Sequence, residues 1–136
     1  MRYYLLALIT VLLFVGCKQK TKVQVIKGPA QMEFINDERT YEFGTVSRKN
    51  ARFTHDFKFV NKGSEPLVIH EVKTSCHCVS VDYPRSPIMS GDEGIIHVKL
   101  DFESQPEGYV KRSAYIYNNS SNRPEVRLVF EGIIED

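Results

Sequence analysis

The chain has 136 residues, with 18 basic and 17 acidic side chains and a formal charge of +1. A nucleic-acid partner would normally show as a basic domain, so this balance argues against one. The length suits a single hydrophobic core and is short for two domains.

The chain opens "MRYYLLALITVLLFVGCKQK". Arg2 precedes the apolar run Leu5–Val15, which is shorter than the ~20 residues that span a bilayer and suits the core of an export signal. A buried helix of a soluble protein is the bland alternative, and the unbroken apolar run fits it poorly. The ending "FVGC" resembles a bacterial lipoprotein signal, with Phe14 where leucine is usual. The resemblance implies a signal peptide at 1–16, cleavage before Cys17 and lipidation of its sulfur, which makes the membrane a partner. Lys18, where an aspartate would resemble an inner-membrane retention signal, points to outer-membrane sorting, on the periplasmic face or the cell surface. Loss of Arg2 with the signal leaves 17 acidic and as many basic side chains.

Residues 17–30 are expected to form the lipidated cysteine and a flexible tether. The stretch "KQKTKVQVIKGPA" is lysine-rich and acid-free, and each Lys near an anionic lipid surface is worth ~1 kcal/mol. The alternation of Val23 and Val25, with Ile26, leaves a first edge strand as the alternative.

From residue 31 to 136 period two dominates. In "ARFTHDFKFVN", Phe53, His55, Phe57 and Phe59 alternate with Arg52, Thr54, Asp56 and Lys58, the mark of a half-buried strand. A turn at Asn61–Pro66 leads to a strand over Leu67–Val72, which runs into the cysteine motif. "PRSPIMSGDEG" is loop and turn chemistry. "IIHVKLDF" places Ile96, Val98, Leu100 and Phe102 on one face. "YVKRSAYIYNN" and "EVRLVFEGII" flank the polar turn "NSSNRP". No long stretch of helical period follows Cys17. Six or seven short strands predict an all-β, immunoglobulin-like antiparallel β-sandwich of about seven strands. The chain lacks tryptophan, and both remaining cysteines lie on one segment, so it has no inter-sheet disulfide of the antibody type.

The motifs "YEFGTV", "FKFVNKGSEPLVIHEVKTSCHC", "YPRSPIMSGDEGIIHVKLD" and "LVFEGII" occur in the order of a bacterial family of exported proteins, domain of unknown function 1573. The resemblance covers roughly Tyr41 to Ile134. It implies an immunoglobulin-like fold and export, often with a lipid anchor, and implies no biochemical role. His77 stands where the family usually has glycine and Val79 where it has threonine. If that glycine position required positive φ, His77 would be strained there.

Cys76-His77-Cys78 admits three readings. On a regular strand Cys76 and Cys78 share one face and His77 takes the other, so the cysteines are small apolar core residues. In the second, they form a disulfide. Extended residues i and i+2 stand ~6.5–7 Å apart at Cα, near the limit for bridging, so the backbone must bend. In the third, the thiolates hold copper(I) or zinc, with His77 joining only if the segment leaves strand geometry. No helix start accompanies the pair to lower a thiol pKa, as a redox enzyme would need.

His55-Asp56 and His70-Glu71 are sequence neighbours and point to opposite faces of a strand, so neither is a dyad. No nucleophile elbow, phosphate loop or metal-binding helix motif is present. Tyr109, Tyr115 and Tyr117 share the face of a strand opposite Val110, Ala114 and Ile116. If the latter are core, the tyrosines lie outward, where they suit protein or glycan contact or act as cross-strand partners. The expectation is a non-catalytic, lipid-anchored binding or scaffolding module of the cell envelope, without cofactor, whose partner is an envelope protein or glycan. The alternative is a metal- or thiol-handling accessory protein acting through Cys76, His77 and Cys78.

Overall fold

Alternating side chains sort this chain into two sheets, whose inner faces meet in one core. The computed structural model describes residues 28–136. The signal, Cys17 and the tether up to residue 27, with the alternative strand there, lie outside the described residues.

Eight strands are present among the described residues, against about seven expected. They are β1 (Met32–Phe34), β2 (Thr40–Ser47), β3 (Arg52–Asn61), β4 (Ile69–Thr74), β5 (Val79–Asp82), β6 (Glu93–Asp101), β7 (Gly108–Asn118) and β8 (Glu125–Glu135). One sheet has the order β1-β3-β6-β5 and the other β2-β8-β7-β4. The fold is an all-β, immunoglobulin-like sandwich.

The inner faces follow the predicted parity. Phe57 and Phe59 of β3, Ile96, Val98 and Leu100 of β6, and Phe102 just after β6 are buried, as are Leu128 and Phe130 of β8. Burying each such side chain fully contributes about 1.5–3 kcal/mol. Gly94 is the second residue of β6. A Cβ there would overlap the Phe59 ring, so the glycine makes room for a core aromatic.

Three features differ from the sequence expectation. First, β2 and β8 pair in parallel, so the second sheet is mixed. Parallel neighbours need a long connection, and here the rest of the domain provides it. Gly44, with φ of 71°, sits at a register shift in β2, after which Val46 rather than Thr45 faces inward beside buried Ile134. Second, Gly28–Ala30 dock onto the sandwich. Ser64 N–H donates to the Gly28 carbonyl at 3.1 Å, Ser121 N–H donates to Ala30 at 2.9 Å, and Ala30 is buried. Third, Ser75–Cys78 is a turn between β4 and β5, which belong to different sheets, and not a continued strand. Strand parity breaks there because the chain must cross the core.

Candidate functional site

Backbone ties at both ends hold the cysteine turn. Ser75 N–H donates to the Ser113 carbonyl at 2.9 Å, and Ser113 N–H donates to Ser75 Oγ at 2.9 Å, fixing the start to β7. Ser113 Oγ accepts from Arg127 Nε at 2.9 Å. At the other end Asp101 N–H of β6 donates to the Cys78 carbonyl at 2.9 Å, and Val79 N–H closes the turn on the Cys76 carbonyl at 3.3 Å. The bend brings the Cα atoms of Cys76 and Cys78 to 5.2 Å, and their sulfurs are joined in a disulfide. Both cysteines are half-buried against the core and His77 is exposed. Positive φ at non-glycine positions occurs, among the described residues, only at Asn36 and Asp37, so His77 carries no such strain.

The bridge closes a very short loop. Chain-entropy arithmetic for a loop of about three residues gives ~1.6 kcal/mol, against ~4.7 for a 100-residue loop. As a staple it is weak.

Cys78 and His77 line an open cleft of about 590 Å³ with Arg52, Phe53, Thr54, Ser80, Lys99, Leu100 and Asp101. A smaller hollow of about 400 Å³ continues past Cys78 toward Glu103, Ser104 and Gln105. Cys76 lines neither. Arg52 donates to Asp101 Oδ2 through Nε and Nη2 at 3.1 and 2.9 Å and to Glu103 Oε2 at 2.8 Å, so acids neutralise its charge. Lys99 stands in register between Thr54 and Ser80 and makes no ion pair among the described residues. It is the unpaired cation of the larger hollow.

No group of three or more His, Cys, Asp or Glu side chains is arranged to hold a metal ion among the described residues. His55 pairs with Glu38 Oε1 at 2.9 Å through Nε2 and stacks on Tyr41 with ring centroids 3.9 Å apart. His97, unremarked in the sequence, lies 2.8 Å from Asp56 Oδ1 through Nδ1 across the β3–β6 pair. Cross-strand register makes that pair, and the sequence carries no local signal of it.

The tyrosines lie where parity predicts. Val110, Ala114 and Ile116 are buried, while Tyr109 is 65% exposed and Tyr115 and Tyr117 are half-buried on the outward face of β7. Lys73 Nζ lies 5.1 Å from the Tyr117 ring centroid and the Arg127 guanidinium 5.9 Å from that of Tyr115, within cation–π range. Tyr109 Oη donates to Glu131 Oε2 at 2.7 Å, and Lys111 Nζ reaches the same oxygen at 2.6 Å. The hydrogen bonds from Lys111, then Tyr109, hold the Glu131 carboxyl below its ordinary value. The bond to Glu131 pushes the Tyr109 hydroxyl up. Tyr109 also faces Ile133, itself 42% exposed, above a shallow groove lined by Gly44, Thr45 and Gly132.

A sandwich of this topology is of an immunoglobulin-like class. It is similar to the PapD-like domain 7 of human CEP192, with TM-score 0.60 and 8% identity over 79% of this chain and 87% of that one. A Porphyromonas gingivalis W83 protein of unknown function superposes with TM-score 0.63 at 16% identity, covering 87% of this chain and 51% of that chain. The Vibrio cholerae VesB protease matches with TM-score 0.57 at 12% identity, over 78% of this chain and 32% of the protease. The chain thus spans about half of the first of these two proteins and about a third of the second, and at such identities the likeness is one of fold alone. A search of curated proteins finds no match. Residues 34–134 match the family described as Protein of unknown function (DUF1573), and the chain belongs to that family.

Proposed function

We propose that this protein is a non-catalytic, lipid-anchored binding or scaffolding module of the cell envelope, held to the outer membrane through Cys17 and contacting its partner with the outward face of β7 and β8. The observation that carries the reading is the register pair Tyr109 and Ile133. Both are large, apolar and exposed, beside a glycine-lined groove. Tyr115 and Tyr117 extend that face with aromatic area, and Arg127 lies beside Tyr115; tyrosine and arginine are enriched at the energetic centres of protein interfaces. The partner class is an envelope protein or glycan.

Metabolic labelling with radioactive palmitate tests the anchor. Label is expected on the full chain and lost in Cys17→Ser. Label retained in that variant, or absent from the wild type, defeats the lipid reading. A photo-crosslinking residue placed at Tyr109 or Tyr117 in growing cells tests the surface. A discrete adduct is expected from those positions and none from Asp56 on the opposite sheet, and the reverse pattern overturns the assignment.

A further inference from the structure

We propose that the Cys76–Cys78 disulfide is a thiol-exchange site, at which the thiol of a cysteine-bearing acidic peptide attacks Cys78 from the adjoining cleft. The inference stands on the sheet opposite the tyrosine face and does not rest on the binding reading.

Three observations carry it. Both cysteines are only half-buried, unlike a bridge sealed in the core. The cleft distinguishes the two cysteines, because Cys78 lines both of its hollows and Cys76 lines neither. The larger hollow has a built polarity: Arg52 and Lys99 outnumber Asp101 there by one charge, and Lys99, which makes no ion pair among the described residues, stands in register with Thr54 and Ser80, while Glu103 lines only the smaller hollow. A thiolate with a carboxylate nearby meets a cation and hydroxyl donors there. A bare or cationic thiol gains less.

The chemistry balances within the two partners. The peptide thiol loses its proton to solvent, and the thiolate attacks Cys78 Sγ in line with the existing bond. A new sulfur–sulfur bond forms as the Cys76–Cys78 bond breaks, and the electron pair leaves on Cys76 Sγ, which takes a proton from water. A second thiol on the same peptide, deprotonated likewise, attacks the peptide sulfur of the mixed disulfide and expels Cys78 as a thiolate, which is protonated in turn. Two electrons and two protons have then passed from the peptide dithiol to Cys76 and Cys78, and the peptide carries the disulfide. One round needs no further oxidant. Exposed disulfides are the labile ones, whereas structural ones resist the glutathione pool.

The test uses the full-length chain carrying Cys17→Ser, so that Cys76 and Cys78 are its only sulfhydryl positions, with glutathione as the anionic thiol and cysteamine as the cationic one. The oxidised protein is expected to be reduced by glutathione, with a mixed disulfide at Cys78 trapped by acid quench and located by mass spectrometry. Lys99→Glu is expected to slow the glutathione reaction roughly tenfold and to leave the cysteamine reaction unchanged or faster, since reversing one charge in a cleft alters the capture of charged ligands on that scale. In single-cysteine variants, glutathione disulfide is expected to react faster with Cys78 in C76S than with Cys76 in C78S. A bridge that glutathione leaves intact, a mixed disulfide found on Cys76, or rates indifferent to Lys99 overturns the proposal. Circular dichroism of each variant confirms that the sandwich is folded, and Lys99→Gln repeats the charge test without introducing an acid.

Discussion

The carboxamide of Asn122 stands in for a neighbouring strand beside Met32, accepting from the Met32 N–H and donating to its carbonyl, both at 3.0 Å. Among the described residues β1 is an edge strand, paired only with β3. An open edge invites pairing with another chain, and one side chain covers this one. Asn122→Ala is expected to lower unfolding stability by about 1–2 kcal/mol. Urea titration should show an earlier midpoint with unchanged slope, and hydrogen exchange should quicken at the Met32 amide.

Asn61 makes a heavier demand. It is fully buried, and its amide group donates to the carbonyls of Glu65 and Ile88 while its oxygen accepts from Gly63 and Gln31. Asn61→Ala strands the Glu65 carbonyl and the Gly63 and Gln31 N–H groups, while the Ile88 carbonyl keeps the Leu67 N–H, and about 3 kcal/mol of stability is expected to go with them. Asn119→Ala, which breaks two exposed bonds to Val68 and Pro66, should cost less in the same urea titration. Equal losses would show that burial is not what makes Asn61 costly.

Residues whose neighbours are set by alternation were legible. Phe57, Phe59, Ile96, Val98 and Leu100 are inward because a pleat leaves each only two directions, and the outward tyrosines follow from the same parity. The direction of β2 beside β8 was not legible, since a partner nearly ninety residues away leaves no mark on local pattern. Nor was the turn at Ser75–Cys78, which contains no glycine or proline to announce it. The cleft beside it was hidden for a related reason: β3, β5 and β6 bring Arg52, Thr54, Ser80 and Lys99 together only once register is known.

The disulfide and the core should separate cleanly in stability measurements. The double substitution Cys76→Ser/Cys78→Ser is expected to cost no more than ~1.6 kcal/mol from loop entropy. Phe57→Ala, at a site with no exposed surface, should cost about 3–5 kcal/mol. Thermal unfolding gives the comparison. A double cysteine variant as damaged as the phenylalanine variant would make the bridge a structural element after all.

Glu131 links acid sensitivity to the tyrosine face. Its folded pKa lies below the ordinary carboxylate value because Lys111 and Tyr109 hydrogen-bond the ionised form. The resulting stabilisation is complete above the unfolded value of about 4.3 and is lost as pH falls through the folded one. Carbon-detected NMR titration should place the Glu131 midpoint below that of an ordinary glutamate. Lys111→Ala should move it up, and an unmoved midpoint would remove Lys111 as the cause.

The sandwich has two poles. Gly28 enters beside Ser64 and Ala30 meets Ser121 at one of them, while Cys78 meets Asp101 at the other, along strands that register Val60 with Glu93 and Arg52 with Asp101. A β3 of this length spans about 30 Å. A leash to the lipid bilayer would therefore attach at the pole far from the sulfur pair, with the length of the sandwich between the point of attachment and the bridge.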